Sequence, residues 1–402
     1  MNTVLWLLFL SMTINYIDRG ALSVSAPVLS KELGLTADRM GWLFSAFFWS
    51  YSLFQLISGW LADRYDVKRV YAAGFTIWSA ATMAMGLLPR FEALAGARLL
   101  LGIGESVAYP ACSRVIVQNF PENRRGFANA LVDAGTKIGP GLSTLFGGLL
   151  VSAFGWRALF IGLGAVSLLW LIPWILLVPR GASDGEKGPR QPSIGYGELL
   201  RNRQLWVTSA GMFCLGYVWY FLLSWLPSYL VSERGFSIQA MAVSGSAPFF
   251  VMAAATVLGG WLSDRWIRRG GDVSRVRRTF AVCGLAGCGA AMAPAVLTKD
   301  PAAAIGLICA ACFCLGVYTS NVWAITQTLA GSHAAAKWTA FQNFVGNLGG
   351  VVSPALTGWI VARTGSFLYA FFGAVAVVAA GALCYAILLG EIRSVRWKGG
   401  ER

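Results

Sequence analysis

The sequence predicts an all-α membrane protein, with twelve transmembrane helices in two pseudo-symmetric six-helix bundles. Three observations predict it: a scarcity of charge, long apolar runs and an internal repeat. Of the 402 residues, 56% are hydrophobic and 12% charged, with a mean hydropathy of +0.61. A soluble domain carries about 25% charged residues, so this chain lacks the polar surface that a water-soluble fold needs. Phe160 to Val178 and Phe367 to Leu389 contain no charged residue. Apolar runs of about 18 residues or more are long enough to cross a bilayer.

The spans are expected over 4–29, 40–62, 70–88, 93–118, 126–152, 157–178, 206–229, 238–262, 279–297, 302–329, 337–361 and 367–389. The first carries Asp18 and Arg19. The second carries Tyr51 and Gln55 one turn apart and runs into the loop Gly59–Arg69. The fourth holds Arg98 and Glu105, and the fifth Asp133, Thr136 and Lys137. The sixth carries only Arg157, at its first position, and the twelfth is free of charge. Tyr220 lies on the seventh, and the eighth ends in a second copy of the Gly59 loop. The tenth holds Ser320, Asn321 and Trp323, and the eleventh Asn343 and Asn347 one turn apart. Between the sixth and seventh, Pro179 to Arg203 is polar and rich in Gly and Pro. It reads as a cytoplasmic linker, 179–203, between an N-terminal bundle, 1–178, and a C-terminal bundle, 204–402.

The net charge of +14 would suggest nucleic acid on a soluble protein. Here 22 of the 32 Lys and Arg fall in loops or at span ends on one side and 7 on the other, with three deeper inside spans. The positive-inside rule then puts both termini in the cytoplasm and accounts for most of the basic balance without a nucleic-acid partner. The eight Cys lie in or beside spans. The pair Cys309-x-x-Cys312 reads as packing on an apolar helix, and the single His, His333, has no metal-ligand cluster around it. No catalytic triad, P-loop or dinucleotide fingerprint is present, so neither an enzyme, a cofactor nor a metal site is expected. The first residues carry no positive charge, which argues against a cleaved signal peptide.

The halves repeat. Gly59-Trp60-Leu61-Ala62-Asp63-Arg64 recurs 201 residues later as Gly260-Trp261-Leu262-Ser263-Asp264-Arg265, and the same offset sets Glu32 over Glu233 and Gly34 over Gly235. An offset of 211 sets Gly135, Gly139 and Gly147 over Gly346, Gly350 and Gly358. Such repeats imply two bundles with a solute site between them near the midplane. Gly135-x-x-x-Gly139 and Gly346-x-x-x-Gly350 let helix backbones approach closely.

The stretch Gly59–Arg69 (GWLADRYDVKR) resembles the loop 2–3 signature of the major facilitator superfamily, with its degenerate copy at Gly260–Arg269. One departure is Asp66, where that family usually has Gly. The resemblance implies the major facilitator fold over the whole chain and gate contacts for Asp63, Arg64, Asp264 and Arg265. Asn15-Tyr16-Ile17-Asp18-Arg19, combined with Ala97–Glu105 (ARLLLGIGE), is similar to the anion:cation symporter family of galactonate, hexuronate, glucarate and tartrate carriers. An Asp-Arg pair alone also occurs in spinster-type lipid carriers; the combination is what is specific. Membership would imply proton-coupled uptake of an organic anion by a monomer of the cell inner membrane. An exporter of amphipathic drugs or lysolipids on the same fold, or a non-transporting receptor, would be the alternatives. Six buried charges argue against the first, and the absence of a soluble sensor domain against the second.

Apart from Arg114, Arg157 and Lys337 near span ends, Asp18, Arg19, Arg98, Glu105, Asp133 and Lys137 are the charges inside spans. Left unpaired at the bilayer centre each costs ~2.5–3.5 kcal/mol, so six would cost roughly 15–20 kcal/mol, more than the typical stability of a fold. They must pair or line a wet cavity. Arg98 and Glu105 are two turns apart and share a helix face; Asp133 and Lys137, four apart, can pair. Arg19 is the candidate for a substrate carboxylate, because a guanidinium gives two parallel hydrogen bonds and keeps its charge. Asp18 and Glu105 match the family's proton-coupling acids, with Arg98 as their electrostatic partner. Lys137 either holds a second anionic group or only neutralises Asp133. The resemblance to galactonate-type carriers further implies Tyr51, Gln55, Thr136, Ser320, Trp323, Asn343 and Asn347 as the rest of the substrate site; most offer the donors and acceptors a polyol needs.

Overall fold

The computed structural model describes residues 2–178, 194–395 and 397. Most of the expected linker therefore lies outside the described residues. Its last part forms a single short turn of helix, Tyr196–Leu200, numbered α9 here. Among the described residues the structure is helical, with no strand. In the first half the helices are α1 (Asn2–Leu33), α2 (Ala37–Arg64), α3 (Val67–Met85), α4 (Phe91–Glu105), α5 (Ala108–Asn119), α6 (Glu122–Leu142), α7 (Gly148–Leu169) and α8 (Leu171–Leu177). In the second half they are α10 (Arg203–Ser232), α11 (Ile238–Arg268), α12 (Val273–Leu297), α13 (Pro301–Thr364) and α14 (Leu368–Leu383).

Eight helical stretches are long and apolar enough to cross a membrane. One of them, Phe127–Leu177, is two helices joined at Gly155, whose φ of 81° breaks the helical path. α13 is likewise two spans, parted at Gly331 with φ 63°. The helices α1, α2 and α3 supply the remaining three of the twelve, and they fall short of the apolar threshold because of their polar side chains. The fourth span is α4 and α5 in series. It breaks at Ser106–Val107, just before Pro110, whose ring clashes with the carbonyl one turn earlier and whose missing N–H leaves that carbonyl unbonded.

The repeat seen in the sequence is legible in the backbone. Gly34 and Gly235, 201 apart, follow α1 and α10 with φ of 62° and 71°, the left-handed geometry that ends helices at little cost only for Gly. Gly155 and Gly365 open the sixth and twelfth spans with φ of 81° and 69°. The signature loop makes its turn without Gly: Asp66 is the N-cap of α3 and accepts from the Lys68 backbone N–H at 3.1 Å. Asp272 caps α12 in the same way, accepting from Arg275 at 2.8 Å. A basic side chain beside each cap then ties down the end of the last span of its half. Lys68 Nζ donates to the carbonyls of Ile175 and Val178, and Arg278 to those of Leu389 and Gly390 at 2.6 Å. Both satisfy carbonyls that a helix C-terminus leaves without intrahelical partners.

The chain forms two compact units. The first is Met1–Gly185 with Leu222–Phe249 and Pro354–Ser366, and the second is Glu186–Phe221 with Phe250–Ser353 and Phe367–Arg402. The units follow proximity in space and the sequence halves follow the repeat, so their bounds differ. Within the first unit, α1 and α6 run parallel and nearly touch. A Cβ on Gly135 would lie 2.8 Å from the Phe9 carbonyl oxygen, and one on Gly139 2.6 Å from Tyr16 Cβ. Ser143 Oγ donates to the Ile17 carbonyl at 2.9 Å. Buried Trp78, Trp170 and Trp174 stack with Tyr71 and Phe75 between α3, α7 and α8. This unit also joins the Gly34 end of the N-terminal helices to the α10 and α13 segments. Ser23 Oγ donates to the Ser224 carbonyl at 2.9 Å, Trp225 Nε1 to the Pro354 carbonyl at 3.1 Å, and Gly41 and Gly358 meet backbone to backbone.

Candidate functional site

The buried charges of the first unit form one cluster. Arg19 Nε donates to Glu105 Oε2 at 2.7 Å, with both side chains almost fully buried, 2% and 0% exposed. Arg19 is held on its faces by aromatic rings: its guanidinium carbon lies 4.6 Å from the Tyr16 centroid, 4.8 Å from Phe47 and 4.6 Å from Tyr51. A desolvated guanidinium on ring faces gains ~2 kcal/mol or more per good contact. Arg98, one helical face along α4 from Glu105, is buried too. It donates to the Leu43 carbonyl at 3.2 Å and lies 5.0 Å over Phe47. Asp18 is 1% exposed. Among the described residues neither of its oxygens has a hydrogen-bond partner, and the charges it feels are those of Glu105 and Arg98. Burying a carboxylate without hydrogen bonds is far costlier than burying a neutral carboxyl.

A second charged pair stands apart from these residues on α6. Lys137 Nζ lies 3.6 Å from Asp133 Oδ1, with side chains 21% and 44% exposed. Thr136 is knotted between them: its hydroxyl donates to the Asp133 carbonyl at 2.7 Å and accepts from Lys137 at 3.2 Å. Two tyrosines link this pair to the buried cluster. The Tyr16 and Tyr109 hydroxyls are 3.5 Å apart, and Tyr109 feels Tyr16, Asp133 and Tyr51 as its electrostatic neighbours.

The candidates of the second half are neutral, and several already bond between helices. Tyr220 donates to Asn347 Oδ1 at 3.0 Å. Ser263 donates to Asn321 Oδ1 at 2.7 Å, and Asn321 to Ser320 Oγ at 2.9 Å. Trp323 and Asn343 are half-buried, as is Gln55 in the first half. At the signature loops, Arg64 lies 5.5 Å over Trp60 and Arg265 5.1 Å over Trp261, the same contact at the same offset of 201. Asp264 is exposed and is the charge that Arg277 feels. The side chain of Asp63 lies outside the described residues.

Sequence reasoning did not single out Tyr16, Phe47 or Tyr109. The first two had a signal, since Tyr16 is three residues before Arg19 and Phe47 four before Tyr51, spacings that share a helix face. Tyr109 had none, because the helix break before it sets its direction.

A family model described as Major Facilitator Superfamily matches residues 8–354. The chain belongs to the major facilitator superfamily. It is a multi-pass membrane transporter, not an enzyme. Within the superfamily it is 32% identical to the probable sulfoacetate transporter of Cupriavidus necator, over 95% of this chain and 92% of that one. It is 30% identical to the hexuronate transporter of Bacillus subtilis, over 98% and 94%, and 29% identical to the D-galactonate transporter of Escherichia coli, over 97% and 95%. These relatives are consistent with the anion:cation symporter type. A solved structure of a bacterial homologue of the human lysosomal transporter Spinster, inward-facing and unoccupied, superposes with a TM-score of 0.78. It shares 22% identity over 96% of this chain and 95% of that one, a likeness of fold alone.

Proposed function

We propose that the protein is a secondary transporter that carries a small organic anion, a sugar acid or another carboxylate, together with protons. The observation that carries this reading is the buried Arg19–Glu105 pair at 2.7 Å. One guanidinium nitrogen is engaged by a carboxylate of the protein, in a place where a substrate carboxylate would compete for the same donor. Relatives named for sulfoacetate, hexuronate and galactonate support the substrate class.

A charged Glu105 holds Arg19 by a charge-assisted hydrogen bond, about twice as strong as a neutral one. A proton on Glu105 removes that advantage and releases Arg19 to take a substrate carboxylate through two parallel bonds. Asp18, beside Glu105 and Arg98, supplies a second protonatable group. Return of the protons to the other side restores the internal pair and expels the anion. This exchange makes loading by proton and by anion favour one another, which is the requirement of symport, and alternating access by the two repeats would deliver both. With both termini in the cytoplasm, as the loop charges indicate, the contacts among Ser23, Ser224, Trp225 and Pro354 lie on the outer side. They would be the contacts to break for outward opening. Tyr51, Gln55, Thr136, Ser320, Trp323, Asn343 and Asn347 would meet substrate hydroxyls, and Asp63, Arg64, Asp264 and Arg265 would work the cytoplasmic gate.

Purified monomer in proteoliposomes tests this. An inward proton gradient should drive accumulation of a carboxylate such as galactonate or glucuronate in sodium-free buffer. Uptake that requires sodium and ignores pH would overturn the coupling, and failure to exchange any organic acid would overturn the substrate class.

A further inference from the structure

We infer that the substrate is a short dianion, a carboxylate bearing a second acidic group such as a carboxylate or sulfonate, with Arg19 at one end and Lys137 at the other. The inference rests on the organic-anion reading above and narrows it.

The register of α1 against α6 places the two cations. Gly135 meets Phe9 and Thr13, and Gly139 meets Thr13 and Tyr16. Lys137, midway between these glycines, therefore stands level with about residue 13 of α1. Arg19 is some six residues further along, about 9 Å of helix rise. Arg and Lys side chains are each long enough to close most of that gap, leaving room for a molecule a few bonds long between their heads. The intervening level belongs to Tyr16, whose hydroxyl meets that of Tyr109 at 3.5 Å, with Asp133 as a further neighbour of Tyr109. The two cations thus bracket a pair of hydroxyls within a single unit.

Lys137 keeps donors to spare. Its ammonium has three N–H groups. One goes to Thr136 at 3.2 Å, and Asp133 stays at 3.6 Å, an ion pair beyond hydrogen-bond length. Nor does the fifth span need this pair for packing. At the matching offset of 211 the second half has Phe344 for Asp133 and Leu348 for Lys137, yet its fifth span also packs closely, with Gly346 against Met212 and Gly349 against the backbone of Tyr217. Ionisable residues at such depth are expensive and mark substrate paths by default. The charge balance agrees. The six charges sum to zero, and with protons on Asp18 and Glu105 the sum becomes +2, which a dianion cancels.

The test uses pairs of acids that differ by one acidic group: galactonate against galactarate, and acetate against sulfoacetate. Binding is read by competition in detergent and by counterflow in proteoliposomes. Wild-type protein should prefer the dianion of each pair roughly tenfold or more, the worth of one charged contact. Lys137→Gln should bring that preference toward one. Because that variant strands Asp133, the neutral pair Asp133→Asn/Lys137→Gln is measured beside it and should behave alike. Asp133→Asn alone, which frees Lys137, should raise the preference. Equal binding of monoanion and dianion by wild type would overturn the inference while leaving organic-anion transport intact. So would a preference that survives Lys137→Gln and the double variant, which would leave Lys137 as a mere counter-ion. If no acid of either kind is bound or exchanged, the broader reading fails instead.

Discussion

All six spans of the second half are long and apolar enough to cross a membrane on composition alone, whereas in the first half only the stretches from Phe91 onward are. The same contrast holds for side chains at matched positions. Arg19 corresponds to Tyr220 and Asp18 to Trp219 at the offset of 201; Asp133, Thr136 and Lys137 correspond to Phe344, Asn347 and Leu348 at 211. In both halves the first and fifth spans communicate, by Tyr220 to Asn347 in one and by glycine contacts in the other. One backbone plan thus supports a charged half and a neutral half. On the proposed function, the first would hold the ions, and the second would offer amides and hydroxyls to the uncharged parts of a solute.

The contrast breaks first at Arg19. If the guanidinium makes two bonds to a substrate carboxylate, Arg19→Ala should weaken binding by about 100-fold or more, since each charged hydrogen bond contributes ~1.5–3 kcal/mol. Arg19→Lys should fail nearly as badly, because an ammonium keeps the charge and loses the fork. It would also lose the guanidinium's contacts with the rings of Tyr16, Phe47 and Tyr51. Near-normal affinity of the Lys variant would move the anion to Arg98 or Lys137.

Glu105 separates coupling from structure. Glu105→Gln imitates the protonated state, so counterflow should persist while proton-driven accumulation fails. A purely structural Glu105 predicts otherwise: its loss strands Arg19 in a dry site, costs ~3–5 kcal/mol, and impairs exchange and accumulation together. Both assays belong in the same proteoliposomes, with the melting temperature alongside. Parental accumulation in this variant would leave Asp18 or Asp133 as the coupling acid.

Both halves seat the fifth span against backbone, at Gly139 in the first and at Gly349 in the second, where a Cβ would lie 2.5 Å from the Tyr217 nitrogen, but single glycines differ in what surrounds them. A Cβ at Gly139 would meet Tyr16 Cβ at 2.6 Å and the Thr13 carbonyl oxygen at 2.9 Å, which only a helix shift can relieve. At Gly346 the nearest atom is Met212 Cγ at 2.8 Å, in a flexible side chain that can turn away. Gly139→Ala should therefore cost ~1–3 kcal/mol, and Gly346→Ala less. Equal drops in melting temperature would show that Met212 cannot turn away.

Much of this was legible in the sequence. Twelve spans follow from apolar runs, the repeat from Gly59–Arg64 and its copy, and the Asp133–Lys137 pair from a spacing of four. The partner of Arg19 was not. Adjacent Asp18 and Arg19 point about 100° apart on a helix, and which of them reaches α4 depends on the crossing of two helices. The ring cage on Arg19 draws on α1 and α2 together, and the aim of Tyr109 follows from the break before Pro110. Long-range placement of this kind is set by packing, which a linear pattern does not encode. Asp66 is the converse case: a family glycine is absent, and the turn survives because an aspartate caps the following helix instead.

The smallest effect concerns the far ends of the two halves. Glu32, on the last turn of α1 beyond its span, accepts from Trp156 Nε1 at 2.6 Å and from Arg157 at 2.9 Å. Its counterpart Glu233 accepts from the Ser366 hydroxyl at 2.9 Å. The Trp156 hydrogen bond, followed by the one from Arg157 and that residue's charge, holds the Glu32 carboxyl below its ordinary value of 4.5. A group whose pKa is lowered by folding adds stability that is complete above its unfolded value and fades as pH falls through the folded one. Glu32→Gln should thus lower the melting temperature slightly at pH 7, and the gap to wild type should close as pH falls below about 4.5. The side chain of Glu32 is 45% exposed, so water screens the pair and the cost should stay under ~1 kcal/mol. Glutamine can still accept from Trp156, so the variant removes the charge and keeps a hydrogen bond. A deficit of the same size at every pH would then assign the contribution of Glu32 to shape and hydrogen bonding, not to its charge.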